Sequence, residues 1–335
     1  MTTEIATTSG RIVMGWPFWF ATILFLGSYA LIVSEKIHKT IIAICGAAVM
    51  IAVGILTQEE AFHSLELGVD WNVVFLLISM MVIINIMKPT GVFEYIAIKS
   101  AKIAKGEPFR IMVIFSLVTA FLSAFLDNVT TVLLIAPVTL LICQALELDV
   151  VPYLITEALA SNIGGTATLI GDPPNIMIAS KAHLDFMAFI YNLAPVVIIV
   201  LVAYIISIKF IFGKRLTVRE ELKNRVMAMN EKDAIKDAVL LKKSLMVLAI
   251  TILGFVLHGM LHLHPATIAL FGAGLLLLVS GIKDPHHVLA EAEWATIFFF
   301  IGLFIIIGGV VKVGLISWMS GEVLKITQGN LFGTA

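Results

Sequence analysis

Residues 162–175 read NIGGTATLIGDPPN, and they interrupt an apolar stretch that otherwise extends from residue 150 to residue 180. Its three glycines and the pair Pro173-Pro174 predict that the helix stops near Asn162, because these residues disfavour a continuous helix. Asp172 before Pro173 is typical of a helix N-cap followed by proline in the first turn, so a second helix is expected to begin there. The stretch is therefore expected to be an unwound transmembrane helix.

The polar groups of this interruption suggest a binding site. Thr166, Thr168 and Asn175 bring hydroxyl and amide groups to it. Non-helical backbone at membrane depth persists only where it is buried in protein or lines a wet cavity, and interrupted apolar segments point to the binding sites of transporters. An external loop between two short helices is the alternative interpretation.

A second polar interruption lies upstream, where residues 125–137 read FLDNVTTVLLIAP. Asp127-Asn128 separates two apolar arms that together occupy residues 111–146. The arms predict either two full crossings joined by a wet turn, in which Asp127 or Asn128 caps the second helix, or a re-entrant hairpin. The turn lacks glycine, proline and lysine, and an acid inside the membrane marks a functional site by default, which favours the re-entrant hairpin.

Seven further apolar runs are expected to cross the membrane as simple helices. At about 1.5 Å per residue, 17–20 residues cross most of a hydrocarbon core about 30 Å thick. Only 13% of the 335 residues are charged, against about 25% in a soluble domain. The composition indicates an all-α polytopic protein that lies in the lipid bilayer as a multi-pass plasma- or inner-membrane protein. The runs are residues 16–33, 40–56, 71–87, 186–208, 244–261, 265–282 and 294–311.

Composition and motifs also exclude several functions. The 22 basic and 23 acidic residues nearly cancel, so no basic surface suggests a nucleic-acid partner. Cys45 and Cys143 form no metal-binding pattern, and the sequence contains no P-loop for ATP and no HExxH or nucleophile–base constellation. We therefore expect neither an enzyme nor a bound cofactor, beyond a coupling ion.

Clustered charges predict the orientation of the chain. Lysine and arginine concentrate in residues 88–110 and 213–243, whereas residues 57–70 contain four acids and no lysine or arginine. By the positive-inside rule the two basic segments are cytoplasmic and the acidic one is outside. Within the second basic segment Leu222, Val226 and Met229 have helical spacing, so a surface linker helix is expected to join two halves of the chain.

The two halves resemble each other. Asp70-Trp71 and Gly91 recur as Glu293-Trp294 and Gly314 with the same offset of 223 residues. Counting crossings places the two copies in opposite directions, as in the inverted repeats of secondary transporters. The same offset puts the second counterpart of Asp127 near residue 350, so the second repeat is expected to be incomplete. The expected organisation is a tail (1–15), a first repeat (16–212) with hairpin 111–146 and unwound helix 150–180, a linker (213–243) and a second repeat (244–335).

The motifs FLDNVTTVLLIAP and ASNIGGTATLIGDPPNIMIAS (residues 160–180) resemble the ArsB/NhaD permease family of the ion-transporter superfamily. This family includes arsenite permeases, NhaD-type Na⁺/H⁺ antiporters and P-protein-like members, with citrate and dicarboxylate carriers more distant. The Asp-Asn-Val-Thr-Thr form is most similar to P-protein-like members. The resemblance extends from Trp16 onward and implies an inverted-repeat secondary-transporter fold with a scaffold and a transport domain, each repeat contributing a re-entrant hairpin and an unwound helix.

The resemblance also implies which residues bind the substrate or ion, once the family's motifs are placed on this chain. Independently of the resemblance, Glu157, five residues before Asn162, is a possible proton relay, although its position favours an interfacial helix residue. The implied binding residues lie at the hairpin tip and in the unwound segment: Asp127, Asn128, Thr130, Thr131, Asn162, Gly164, Gly165, Thr166, Thr168, Asp172, Pro173 and Asn175.

The sequence favours a secondary active transporter of an inorganic ion or small anion, coupled to H⁺ or Na⁺. Asp127 and Asp172 would hold the coupling cation or proton. Arsenite fits because its neutral hydroxide form is not repelled by two carboxylates, whereas a dicarboxylate requires prior neutralisation by Na⁺. A Na⁺/H⁺ antiporter is the alternative. Another class stays open, a truncated membrane subunit or scaffold that does not transport, and a homodimer is one assembly to consider.

Overall fold

The computed structural model describes residues 14–182, 184–213 and 218–326. Most of the predicted tail, residues 214–217 of the predicted linker and residues 327–335 of the predicted second repeat lie outside the described residues. Within the described residues every regular element is helical. The helices are α1 Trp16–Val33, α2 Lys39–Ala52, α3 Gln58–His63, α4 Trp71–Met87, α5 Val92–Ile103, α6 Pro108–Ser123, α7 Asn128–Ala145, α8 Val151–Gly165, α9 Pro173–Ala182, α10 Phe186–Phe212, α11 Glu220–Ala228, α12 Ala238–Leu261, α13 Pro265–Ser280, α14 His286–Ala290, α15 Trp294–Lys312 and α16 Leu315–Ile326.

The all-α, multi-pass membrane architecture expected from composition is confirmed. Each of the seven predicted simple spans corresponds to one helix, and α1 and α4 begin and end at the predicted residues. Helices α2 and α13, at 14 and 16 residues, are shorter apolar helices. Among the described residues, six helices are apolar and at least 18 residues long, enough to cross a membrane, when α4 is counted with the 3₁₀ turn Lys88–Thr90 that continues it: Trp16–Val33, Trp71–Thr90, Asn128–Ala145, Phe186–Phe212, Ala238–Leu261 and Trp294–Lys312.

The start of α12 differs from the prediction, which placed the second repeat at residue 244. The helix begins at Ala238, because Asp237 accepts hydrogen bonds from the backbone amides of Val239 and Leu240 and so caps it. Lys243 lies within α12. Its ammonium group is accommodated there because it donates a hydrogen bond to the carbonyl of Val279 at 2.7 Å. The charged residues in the first turns of α12 therefore belong to this helix and not to the preceding connection.

Helix α5 lies in a segment that the sequence predicts only as a basic connection. Its buried face combines Val92 and Phe93 with small residues, of which Ala97 and Ala101 pack with Leu222 and Val226 of α11 in one hydrophobic cluster. A helix within the predicted linker is observed over Glu220–Ala228. Of the three residues that the helical spacing identifies, Leu222 and Val226 are buried in the helix, and Met229, just after it, packs against the same cluster.

The described helices form two compact units, one within Met1–Val74 and Glu293–Ala335 and the other within Phe75–Ala292. In the first unit α2 and α15 pack side by side. The Thr40 hydroxyl donates to the carbonyl of Ala295 at 2.8 Å. Further along both helices, a Cβ atom on Gly309 would lie 2.8 Å from the sulfur of Met50. From the first contact to the second, the residue numbers increase along both helices, so α2 and α15 run parallel.

The two matched segments of the repeat begin at Trp71 of α4 and at Trp294 of α15. Each helix is followed by a glycine with left-handed φ, Gly91 at +80° and Gly314 at +84°. The matched segments therefore share local structure.

The order of elements also repeats. The first five helices are two apolar helices, a short helix (α3), a long helix (α4) and a further helix (α5). Helices α12–α16 follow the same order, with α14 as the short helix. In both copies a glycine with left-handed φ follows the second apolar helix, Gly54 at +78° and Gly281 at +80°. The internal resemblance thus extends beyond the quoted tryptophan and glycine positions.

Candidate functional site

Helices α6 and α8, in the second unit, run parallel to each other, and they start and end at nearly the same height. At their starts the Tyr153 hydroxyl donates to the carbonyl of Pro108 at 3.1 Å. At their ends Gly164 lies against Ala120, where a Cβ atom on the glycine would lie 2.5 Å from the carbonyl carbon. The loop after α6 and the break after α8 are therefore at the same level along the two helices.

The interruption is shorter than the sequence predicts. Helix α8 continues through Gly165, so the prediction that the helix stops near Asn162 is wrong, and only residues 166–172 lie between α8 and α9. The two glycines allow close packing, because a Cβ atom on Gly164 would overlap the backbone of Ala120 and one on Gly165 would overlap the side-chain oxygen of Asn128. The prediction that a new helix begins at Pro173 is confirmed.

Side chains satisfy the backbone groups that the break leaves without helical partners. The buried Thr168 hydroxyl donates to the carbonyl of Ala124 and accepts from the amide of Gly171 at 3.2 Å. The Asn175 side-chain amide donates to the carbonyls of Gly165 at 3.1 Å and Thr168 at 2.8 Å. Buried backbone groups need such partners. Thr168 and Asn175 therefore hold the non-helical segment in one conformation.

The hairpin tip is the start of α7. The Asp127 carboxylate caps the helix by accepting a hydrogen bond from the amide of Thr130 at 3.0 Å. Asp127, Asn128 and Thr130 are half-buried. Thr131 is fully buried, and its hydroxyl has no hydrogen-bond partner. Three residues of the tip are thus partly open to solvent, while Thr131 points into the packing between helices.

Asn128 joins the tip to the break. Its side-chain nitrogen donates to the side-chain oxygen of Asn162 at 3.2 Å, and its side-chain oxygen accepts from the Ser123 hydroxyl at 2.6 Å. The Asp172 carboxyl lies near the Asn128 side chain and close enough to Asp127 for the two charges to interact. One amide thus contacts both sides of the site. We call the tip residues 123–131 together with residues 161–175 the tip–break cluster.

Two residues of this cluster were missed by sequence reasoning. The Ser161 hydroxyl donates to the backbone carbonyl of Asn128 at 3.0 Å and lies 3.0 Å from the hydroxyl of Ser123. Both serines are buried. The signals available were Ser123, one helical turn before Asp127, and Ser161, directly before Asn162, but serines are common in membrane helices and the pairing is visible only in three dimensions.

The implied site residues differ in exposure. Asn162 and Thr166 are exposed, and the Thr166 hydroxyl donates to the carbonyl of Asn162 at 2.9 Å. Glu157 lies apart from the cluster, because its hydrogen bond comes from Thr139 of α7. It is only 1% exposed, so its side chain is buried within the protein. The other implied residues lie in the tip–break cluster.

Two helices begin at this cluster, α7 at Asn128 and α9 at Pro173. The N-terminus of a helix carries a partial positive charge, which favours an anion or a carboxylate. Asp127 and Asp172 immediately precede the two helix starts and supply carboxylates there. The arrangement combines carboxylate, amide and hydroxyl oxygens with two positive dipole ends, so it is chemically suited to a hard cation, a proton or a small oxygen-rich solute.

Comparison with known proteins identifies the family. Residues 29–335 match the family model described as CitMHS, citrate transporter. The chain is 46% identical to an uncharacterized transporter of Mycobacterium tuberculosis over 315 residues, which cover 94% of this chain and 73% of that protein. It is 44% identical to a 46 kDa membrane protein of Mycobacterium leprae, covering 92% and 72% of the two chains. It is also 30% identical to the human P protein, covering 90% of this chain and 45% of that protein. The chain therefore belongs to the CitMHS citrate transporter family.

Proposed function

We propose that this chain is a secondary active transporter that binds a small inorganic ion or anion at the tip–break cluster and couples its movement to H⁺ or Na⁺. The observation that carries the proposal is the Asn128 amide, which hydrogen-bonds with Asn162 from the hairpin tip and lies near Asp172. A solute bound there would contact both the hairpin and the interrupted helix. Any movement of the hairpin relative to the interrupted helix would therefore change the affinity of the site for the solute.

The position of the tip–break cluster along its helices supports a binding site within the membrane. Helix α6 has 16 residues, about 24 Å of helix, which is less than a hydrocarbon core of about 30 Å. The break at the same level is followed by the ten residues of α9, about 15 Å of further helix. These two lengths favour a tip and a break that stop short of the far membrane surface, whereas α7, with 18 residues, is long enough for the hairpin to cross fully.

The charges at the cluster constrain the solute. Asp127 and Asp172 repel a polyanion, so an anion such as citrate requires a cation or proton that neutralises them first. The family description makes citrate the first solute to test. Arsenite is the second, because its neutral hydroxide form suffers no such repulsion and can hydrogen-bond with Asn162 and Thr166. A Na⁺/H⁺ antiporter is a second candidate function, favoured by the interaction of the two carboxyls.

Transport by the purified chain in proteoliposomes tests the proposal. We expect uptake of labelled citrate or of arsenite under an imposed Na⁺ or pH gradient, or Na⁺-dependent proton movement if the chain is an antiporter. Asn162→Ala, at the exposed edge of the cluster, should lower this uptake at least about tenfold, equivalent to 1.4 kcal/mol. Asn192→Ala, which removes an exposed amide of α10, is the control. The absence of all three activities in the wild-type protein would overturn the proposal.

A further inference from the structure

A carboxyl group is buried in α8 away from the tip–break cluster. Glu157 is 1% exposed. One of its oxygens accepts a hydrogen bond from the Thr139 hydroxyl at 2.7 Å, and the other, Oε2, has no partner. An unpaired oxygen on a fully buried carboxyl is costly unless it carries a proton or transiently meets water.

The surroundings of Glu157 contain no compensating cation. Helix α7 contributes Cys143 and α10 contributes Tyr204, whose hydroxyl donates to the carbonyl of Thr156 at 2.7 Å. The single ionisable residue of α6 is Arg110, which is exposed at the start of that helix. No lysine, arginine or histidine in the described ranges contributes to the electrostatic environment of the Glu157 carboxyl. A charged carboxylate without a counter-ion is strongly disfavoured at such a position, so the closed packing holds the neutral acid.

Glu157 shares a helix face with the tip–break cluster. The buried face of α8 includes Glu157, Ala160, Ser161 and Gly164 at helical spacing, and Ser161 contacts Asn128. From Glu157 to the end of α8 at Gly165 is about 12 Å along the helix. The acid is therefore close to the cluster, but does not contact it.

The facing helix α7 carries polar groups along the same interface. Thr131 and Thr139 lie on its buried face, and Thr139 contacts Glu157. The Thr131 hydroxyl, between the tip and Thr139 in the sequence, is buried without a partner. Hydroxyl groups are therefore distributed between the acid and the tip, in a region that is otherwise apolar.

We propose that Glu157 is a proton-binding site separate from the tip–break cluster and that its proton travels with the transport cycle. This inference rests on the proposed function and names H⁺ as a coupling ion. The carboxylate takes a proton from water when the α7–α8 packing opens, and the neutral acid then permits that packing to close. When the packing reopens toward the other side, the proton leaves to water. Because the closed form excludes the charged carboxylate, it cannot form without the proton.

Glu157→Gln separates proton coupling from solute movement. Glutamine keeps the shape and neutrality of the protonated acid but cannot release a proton. In proteoliposomes we expect this variant to retain exchange of internal for external solute (citrate or arsenite, whichever the wild-type protein carries) within about twofold. Its accumulation driven by a pH gradient should fall at least about tenfold. Glu221→Gln removes an exposed carboxyl of α11 and should leave both activities unchanged.

The two proposals fail in different ways. Wild-type protein that neither exchanges a solute nor moves Na⁺ against H⁺ overturns the proposed function, and the coupling role with it. Intact exchange in Glu157→Gln together with undiminished accumulation driven by a pH gradient overturns the role of Glu157 alone. Should Glu157→Gln fail to fold, the wild-type protein still provides a test by infrared spectroscopy. In wild-type protein that contains isotope-labelled glutamate, we expect the infrared band of a buried protonated carboxyl at neutral pH. The absence of this band overturns the proposal.

Discussion

Gly164 lies directly against the backbone of Ala120, where a Cβ atom on the glycine would be 2.5 Å from the carbonyl carbon. Both residues are buried, and the backbone of α6 has no flexible side-chain end at this point that could move aside. Gly164→Ala should therefore force α6 and α8 apart, at a cost of about 1–3 kcal/mol in the free energy of unfolding. Thermal unfolding of the purified variant in detergent measures this cost.

Gly274→Ala is the matched control for that substitution. Gly274 is also helical, in α13, but a Cβ atom there meets nothing within 4 Å. Alanine favours a helix over glycine by up to about 1 kcal/mol, so this variant should be as stable as the wild-type protein or slightly more stable. Equal melting temperatures for the two variants would contradict the close approach of α6 and α8.

Asn128→Ala is expected to weaken solute binding. It removes the side chain that hydrogen-bonds with Ser123 and Asn162, and leaves their polar groups without this partner. Loss of about 1.4 kcal/mol of interaction corresponds to a tenfold higher KM for uptake. Asn192→Ala removes an amide that bonds only within its own helix in the contacts observed, to the carbonyl of Ala188 at 2.7 Å. An unchanged KM in Asn128→Ala would argue against a solute site at the tip.

The sequence predicted which segments are helical better than where they end. Apolar runs identify membrane-length helices because the bilayer requires them, whereas the ends depend on individual side chains such as Asp237, which starts α12 six residues before the prediction. Helix α5 was missed because much of its buried face consists of small residues, such as Ala97 and Ala101, between lysines. Alanines carry little hydrophobic signal until a partner such as Val226 packs on them.

The location of the candidate site was predictable, but its internal contacts were not. Asp172-Pro173 and Asp127-Asn128 mark helix starts by local chemistry, which sequence reasoning can evaluate. The bond from Asn128 to Asn162 joins residues 34 positions apart, and no local pattern encodes it. The glycines of α8 were misjudged for the same reason, since close packing against α6 becomes visible only when both helices are placed.

Val226→Ala should loosen the linker helix α11. Val226 is fully buried in the cluster that α11 forms with α5, so its truncation should cost about 1–3 kcal/mol of local packing. The basic residues around α11 are targets for trypsin, and cleavage should accelerate in the variant. Met227→Ala, at a residue that is 40% exposed, should leave the cleavage rate near that of the wild-type protein. If both variants were cleaved at the same rate, packing through Val226 would not hold the linker.

The stability conferred by Glu60 should depend on pH. Its carboxylate accepts from Lys312 Nζ at 2.6 Å and from the amide of Thr57 at 2.8 Å. Partial burial acts to raise the pKa of Glu60, but the hydrogen bonds from Lys312 and Thr57 outweigh it and hold the pKa below its ordinary value. A carboxyl with a lowered pKa stabilises the folded state above the pKa of the unfolded chain, and this stabilisation disappears as the pH falls through the folded pKa.

Glu60→Gln tests this charge while keeping the helix cap, since glutamine also serves in a capping box with Thr57. At pH 7 the variant should be less stable by up to about 1 kcal/mol, as expected for an ion pair near the surface. The difference in melting temperature from the wild-type protein should shrink as the pH falls below about 4.5, because the wild-type carboxylate then becomes protonated. Glu59→Gln changes an adjacent carboxyl that is 85% exposed and should have little effect at either pH. A difference for Glu60→Gln that stayed constant with pH would mean that geometry, and not the charge paired with Lys312, accounts for the contribution of Glu60.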